Sequence, residues 1–314
     1  MTPKDNDKFF LFTVISQEYA SLGLAWASKV KEVTGIKPHF ICSDEESSSL
    51  MKENGFSCTT YPFAESDLLA KQKNYGEIHF PNKKAVFTVS LKLAVAAEYL
   101  KAGYTVLYSD VDAIWLKDPL TALAPIDADF LFQPGSFPDK VKALWGFSVC
   151  TGFFLMRPSP QTIEFADAVH AKFDGDDQRT LNDVLRENYD LHWSLRPEGW
   201  EHCSLEDGWT KPVLGHCRRT GLTAAALAHS FYQRHGTQED TCDHAIVCHP
   251  NSPKDEEDKF KILKELGIDL VADPDALKEG SSTDAVSAID ASEGALETAG
   301  LLSWIKSFLG LKKS

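Results

Sequence analysis

Two aspartates at the end of a strand-like run constrain the fold of this chain most. Residues 104–108 have the composition of a buried strand, and Asp110 and Asp112 follow one residue apart. Upstream, residues 83–102 carry apolar side chains at helical spacing, and Gly103 stands where a helix end favours positive φ. The predicted local order is helix, tight turn, buried strand and acidic pair. In open α/β sheets, ligands bind at the carboxyl ends of strands, which is where this pair falls.

The spacing of the two aspartates predicts a metal site for a phosphorylated ligand. In an extended chain Asp110 and Asp112 point the same way, and their charges repel unless a hard divalent cation lies between them. A solvated turn is the simplest alternative, although the apolar residues 113–116 do not fit a plain turn. A hydrolase of the haloacid dehalogenase type is a second alternative. There the pair follows the first strand and precedes Thr or Ser, whereas here it comes late and Ala113 follows.

Composition limits the class of protein. The 314 residues are 43% hydrophobic and 25% charged, as in a soluble globular protein. A net charge of −14 argues against nucleic-acid binding but does not exclude a nucleotide. The sequence has no apolar stretch near the roughly 18 residues of a membrane span and no signal-peptide pattern. The seven cysteines lack close paired spacing, which favours a reducing compartment over a disulfide framework, so we expect a cytoplasmic protein.

Strand-like and helix-like segments alternate, which predicts an α/β fold with a sheet covered by helices on both faces. The predicted strands are 9–16, 37–42, 56–61, 104–108, 130–132, 148–156 and 245–248. The predicted helices are 17–33, 45–54, 83–102, 161–173, 177–187 and 255–266, and the predicted loops include 62–82 and 134–142.

The last third of the chain has weaker patterns. Residues 190–243 show no sustained period. Seven histidines and four cysteines lie between positions 192 and 249, which raises a structural zinc site as an alternative, but no Cys-x2-Cys or His-x3-His pair is present. After position 273 the sequence becomes rich in Ala, Ser, Asp and Glu, which predicts a folded domain over 1–272 and a linker over 273–300.

Several blocks together resemble the nucleotide-diphospho-sugar transferases of the GT-A fold, a Rossmann-like mixed and mostly parallel sheet flanked by helices. Among these, the blocks are similar to the retaining family of rhamnogalacturonan xylosyltransferases and arabinosyltransferases, glycosyltransferase family 77. The resemblance runs from about residue 9 to 270. Its blocks are Ser90–Leu93, Gly103–Pro119, Thr151–Pro158, Asp177–Asn182 and His249–Asn251. It implies metal-dependent transfer of a sugar from a UDP-sugar to a glycan, protein or lipid-linked acceptor, with retained configuration.

The resemblance also implies roles for individual residues. Asp110, Asp112 and, from a late strand, His249 would bind Mn2+ or Mg2+ and through it the donor diphosphate. Tyr19 would stack on the uracil, and Lys92 would lie near the donor sugar and phosphates. The other donor-binding residues that it implies are Ser16, Ser109, Val111, Thr151 and Gly152.

The catalytic positions implied by the resemblance are Asp177, which would hold sugar hydroxyls, and Gln178, near the anomeric carbon on the acceptor side. A simple helix cap at Asp176 or Asp177 is the alternative. The family has a glycine and a lysine after its metal-binding histidine, and this sequence does not match them clearly. Lys254 and Lys259 are therefore both candidates for the phosphate-neutralising lysine. Because an amide is a weak nucleophile, a front-face mechanism is expected. A catalytically inactive sugar-nucleotide-binding or scaffold protein is the alternative of another class.

The last fourteen residues, 301–314, form a basic amphipathic segment with three lysines and no acidic residue. Such a helix is suited to a membrane interface beside anionic lipid, so peripheral membrane contact is one hypothesis. Packing on the catalytic domain or on a second subunit, and disorder, are the alternatives.

Overall fold

The computed structural model describes residues 8–63, 83–194, 209–235, 242, 244–250 and 255–270. In chain order its strands and α-helices are β1 (Phe9–Ile15), α1 (Ala20–Thr34), β2 (His39–Cys42), α2 (Glu45–Glu53), β3 (Cys58–Thr60), α3 (Lys83–Lys101), β4 (Thr105–Ser109), β5 (Ile114–Trp115), α4 (Pro119–Leu123), β6 (Phe130–Gly135), α5 (Asp139–Trp145), β7 (Ser148–Met156), α6 (Pro160–Ala171), α7 (Asp177–Val184), β8 (Leu191–Trp193), β9 (Val213–Cys217), β10 (Thr223–Ala226), β11 (Tyr232–His235), β12 (Val247–Pro250) and α8 (Glu256–Glu265). A 3-10 turn, Gln17–Tyr19, precedes α1, and a π-helical turn, Leu185–Tyr189, follows α7.

The strands form two sheets. The larger one has nine strands in the order β3-β2-β1-β4-β7-β6-β10-β9-β8, and the smaller one has the order β11-β12-β5. Strands β1 to β4 pair in parallel, whereas β7 runs antiparallel to both of its neighbours, β4 and β6. The predicted mixed α/β fold is therefore confirmed: parallel pairs connect β1, β2, β3 and β4, and β6 also pairs in parallel with β10.

Helices cover both faces of the large sheet, and β1 shows why its sequence is a continuous apolar run. Phe10, Phe12 and Val14 face one hydrophobic core, which also contains side chains of α3, α6 and α7. Leu11 and Ile15 face a second core, which contains side chains of α1, α2 and α8. Since successive side chains of a strand point to opposite faces, a strand with a core on each side needs apolar residues throughout.

The structure differs from the sequence prediction in two places. The predicted loop 134–142 is wrong, because β6 extends to Gly135 and helix α5 begins at Asp139, directly after a cis peptide bond between Phe137 and Pro138. Within 190–243, where no element was predicted, the strands β8 to β11 form. They are only three to five residues long, so local periodicity did not reveal them.

Within the part of the chain that the structure describes, a disulfide joins Cys242 and Cys248, which the sequence spacing did not predict. Cys42, Cys58, Cys150 and Cys217 are free thiols. Among the described helices, none is long and apolar enough to cross a membrane. The predicted linker 273–300, the segment 301–314 and the boundary at 272 lie outside the described residues.

Candidate metal and donor-binding site

The acidic pair lies where the two sheets meet. Asp110 follows β4 directly, and its backbone N–H donates to the carbonyl of Gly152 in the neighbouring strand β7, at 2.7 Å. The chain then turns through Asp112 into β5, which pairs with β12, the strand that carries His249. Ligand atoms of Asp110, Asp112 and His249 lie within 4.8 Å of one another. The fold thus brings together the three residues that the sequence predicts as metal ligands, although His249 is 137 residues from Asp112 in the sequence.

A glycine makes this convergence possible. A Cβ atom added to Gly152 would overlap Cε1 of His249 and would lie 2.7 Å from Oδ2 of Asp110. Real Cβ atoms do not approach neighbours this closely, and a glycine in a strand often marks such a close approach. Two carboxylates and one imidazole, held together over a strand that has no side chain there, are a donor set suited to Mn2+ or Mg2+. The residues present therefore fit a divalent metal.

A buried lysine connects the acidic pair to helix α7. Nζ of Lys92 lies 2.9 Å from Oδ1 of Asp110 and 3.0 Å from Oδ2 of Asp177. Burial alone lowers the pKa of Lys92, but Asp110 and Asp177 raise it well above its usual value, so the side chain is charged. The hydroxyl of Tyr108 donates to the same Asp110 oxygen. One oxygen of Asp110 is therefore held by two donors, and the other lies against Gly152.

Asp112 has a second lysine as its partner. Nζ of Lys259, on α8, contacts Oδ2 of Asp112, and Nε2 of His249 lies 3.3 Å from its Oδ1. Burial raises the pKa of Asp112, but Lys259 and His249 outweigh burial and hold it well below its usual range. For His249, burial and Arg234 lower the pKa, while Asp112 and Cys150 raise it, and the net shift is upward.

Three residues around His249 were not identified from the sequence. Oε1 of Gln133 lies 2.8 Å from Nδ1 of His249, and Sγ of Cys150 lies 3.8 Å from it. Nη1 of Arg234, which is opposite His249 in the β11–β12 register, lies 2.8 Å from the Cys150 sulfur. The available signal was a polar Gln133 directly after the buried apolar run Phe130–Phe132.

The two aspartates at the beginning of α7 have different partners. The side chain of Asp176 accepts from the N–H of Arg179 at 2.8 Å, which makes Asp176 the helix cap. Asp177 is buried and faces Lys92. The side-chain amide of Gln178 donates to the carbonyl of Phe137, at 2.7 Å.

The remaining predicted residues are placed as follows. Ser16 is buried, and its carbonyl accepts from the N–H of Tyr19 at 3.0 Å. Burial and then Asp112 raise the pKa of Tyr19 to about 12. The hydroxyl of Ser109 accepts from the indole N–H of Trp115 at 3.1 Å. Two others, Val111 and Thr151, are buried, and a third, Lys254, lies outside the described residues.

The mixed α/β sheet carries an acidic pair at the carboxyl end of β4, and the smaller sheet brings a histidine on β12 beside it. The family model described as nucleotide-diphospho-sugar transferase matches residues 37–263. The chain therefore belongs to this family of glycosyltransferases. The match confirms the resemblance that the sequence blocks indicate.

One curated relative and several solved structures are similar to this chain. Beta-arabinofuranosyltransferase RAY1 of Arabidopsis thaliana is 24% identical over 187 residues, which are 58% of this chain and 34% of that protein. The chain therefore spans about a third of the length of this relative.

The structural likenesses are distant. Galactosyltransferase LgtC matches with 16% identity and a TM-score of 0.38, over 55% of this chain and 70% of LgtC. Mouse xyloside xylosyltransferase 1 matches with 12% identity and a TM-score of 0.37, over 58% of this chain and 82% of that enzyme. The bifunctional glycosyltransferase WbbM matches with 10% identity and a TM-score of 0.45, over 85% of this chain and 50% of WbbM.

Proposed function

We propose that this chain is a metal-dependent glycosyltransferase that moves a sugar from a UDP-sugar to an acceptor with retention of configuration. The observation that carries the proposal is the convergence of Asp110, Asp112 and His249 at the carboxyl end of β4. Mn2+ or Mg2+ is the proposed ion. When bound, such an ion supplies stabilisation of the negative charge that grows on the leaving diphosphate.

The lysines complete the charge balance of this site. Lys259 is proposed as the phosphate-neutralising residue, because it already lies at Asp112 and is buried except for 9% of its surface. Its ammonium group would pair with the departing diphosphate. Lys92 pairs with Asp110 and Asp177 and holds both in place. Its positive charge offsets part of their negative charge, so that a negatively charged donor can approach.

The residues beyond Lys92 suit the sugar. The carboxylate of Asp177 is paired with Lys92 and would accept hydrogen bonds from sugar hydroxyls. Gln178 is a weak nucleophile whose amide is bonded to the backbone of Phe137, which supports a front-face reaction with retention. Tyr19, in the turn that follows β1, would stack on the uracil. The acceptor is a glycan, a protein or a lipid-linked sugar.

The decisive experiment is a panel of UDP-sugars with Mn2+, in which released UDP reports slow hydrolysis of the donor. UDP-arabinofuranose belongs in the panel because the curated relative is named as an arabinofuranosyltransferase, together with UDP-xylose, UDP-galactose and UDP-glucose. We expect one donor to be hydrolysed, and Asp112→Asn to abolish the release.

The matched control is Asp167→Asn, which removes a carboxylate that pairs with Lys101 at the surface and should keep full activity. Metal-dependent UDP binding without any turnover of any donor would favour the second candidate, an inactive sugar-nucleotide-binding protein. Full activity in excess EDTA would contradict the metal role. Product anomers, read by NMR, test retention.

A further inference from the structure

The side chain of Gln133 has its orientation fixed by a backbone carbonyl. Gln133 is fully buried on β6, and its Nε2 donates to the carbonyl of Gln233 on β11 at 3.0 Å. A carbonyl can only accept, so the NH2 end of the amide must face Gln233. In the flipped arrangement two oxygens would face each other at that distance. The Oε1 end of Gln133 is therefore the end that faces His249.

This orientation fixes the proton on the histidine ring. Oε1 of Gln133 lies 2.8 Å from Nδ1 of His249, and an amide oxygen only accepts. Nδ1 must then carry the hydrogen, and in the neutral ring Nε2 carries the lone pair. Nε2 is the nitrogen that faces Oδ1 of Asp112, at 3.3 Å. Two lone pairs that face each other at this distance repel, and either a proton on Nε2 or a metal ion bound by both atoms removes the repulsion.

Arg234 does not reverse this assignment. Its Nη1 lies 3.1 Å from Nδ1 and 3.3 Å from Nε2 of His249. A donor placed along the lone pair of one ring nitrogen would lie much farther from the other nitrogen. The guanidinium group therefore contacts the ring without being directed at either lone pair, and Gln133 remains the group that selects the tautomer.

We propose that Gln133 is the positioning residue of the metal site, which holds His249 as the Nδ1–H tautomer with Nε2 directed at the metal. The proposal rests on the proposed metal-dependent function. When a residue accepts a hydrogen bond from the second nitrogen of a metal-binding histidine, its substitution typically lowers metal affinity by about 10- to 100-fold. Gln133 would have this role although it touches neither substrate nor metal.

The chain offers a matched pair of substitutions. Gln133→Met removes the acceptor and keeps the size of the side chain. Gln233→Met removes another buried amide, which donates to the carbonyl of Ser230 at 2.9 Å, and leaves the backbone carbonyl that orients Gln133. Thermal unfolding of the metal-free proteins verifies that both variants fold. Mn2+ affinity is measured at fixed pH from the electron paramagnetic resonance signal of free Mn2+.

We expect Gln133→Met to weaken Mn2+ binding by about tenfold or more, and Gln233→Met to change it by less than about twofold. Equal losses in the two variants, or no loss in Gln133→Met, would overturn the proposal. A second reading is independent of metal. In alkaline solution, 15N NMR of the metal-free wild type should show His249 with hydrogen on Nδ1. The signals of His249 are assigned as those that are missing from the spectrum of His249→Ala.

Gln133→Met should shift that hydrogen toward Nε2. A wild-type ring with hydrogen on Nε2 would overturn the role of Gln133. If the wild type binds no Mn2+ but shows the Nδ1–H ring that Gln133→Met alters, the metal-dependent function fails while the tautomer assignment stands.

Discussion

Lys259 forms a buried ion pair with Asp112 across 147 residues of sequence. The lysine thus neutralises a proposed metal ligand in the metal-free protein. A divalent ion that binds Asp112 has to compete with this ammonium group. The same lysine is the candidate for the leaving diphosphate, so its two roles predict opposite effects on metal binding and on turnover.

We expect Lys259→Met to lower the stability of the metal-free protein by about 3 kcal/mol, because a buried carboxylate loses its partner. Mn2+ alone should bind the variant more tightly and raise its melting temperature more than that of the wild type. Donor hydrolysis should fall. The control is Lys261→Met, on the exposed side of the same helix. If Mn2+ raises both melting temperatures equally, Lys259 does not compete with the metal.

The pH dependence of metal binding follows from His249. Asp112 and Cys150 together raise the pKa of its ring above the usual value despite burial and Arg234. The proton occupies the nitrogen needed for the metal, so the affinity for Mn2+ should fall by about tenfold for each pH unit below this raised pKa. Above it the affinity levels off. Isothermal titration between pH 6 and pH 9 measures the profile. A profile of the same slope in His249→Asn would assign the proton to another group.

Much of this arrangement was readable from the sequence, and the reason is local. Strand β7 was predicted with its observed bounds, because a strand buried on both faces is a continuous apolar run with clear ends. The acidic pair was identified because it follows such a strand. Gln133 and Arg234 were not identified, since their importance comes from contacts with His249, which is 116 and 15 residues away in the chain. No local pattern specifies those contacts.

Gly152 offers a test of how closely the site is packed. Gly152→Ala places a Cβ against Cε1 of His249 and 2.7 Å from Oδ2 of Asp110, so the two ligands must separate. We expect Mn2+ affinity to fall by at least about tenfold, as for other losses of ligand orientation. In Gly135→Ala the nearest neighbour would be 3.3 Å away, and binding should be retained. Calorimetric titration compares the two, and unchanged binding by Gly152→Ala would mean that the metal lies elsewhere.

The last prediction concerns the charge balance around Lys92, which faces Asp110 at 2.9 Å and Asp177 at 3.0 Å. Lys92→Met leaves two carboxylates without this partner and should destabilise the protein by about 3 kcal/mol or more. Adding Asp177→Asn removes one of these charges. The loss of stability in the double variant should therefore be smaller than the sum of the two single losses, by about 1–3 kcal/mol.

Urea unfolding of the four proteins of this cycle measures the coupling energy. As the control, Asp167→Asn in the Lys92→Met background should add only its own small effect, because Asp167 pairs at the surface with Lys101. Donor hydrolysis should be lost in every variant of Lys92 or Asp177, since the pair would hold the sugar as well as the fold. Strict additivity of Lys92→Met and Asp177→Asn would show that the lysine does not join the acidic pair to helix α7 energetically, and retained hydrolysis in Asp177→Asn would remove this carboxylate from the sugar site.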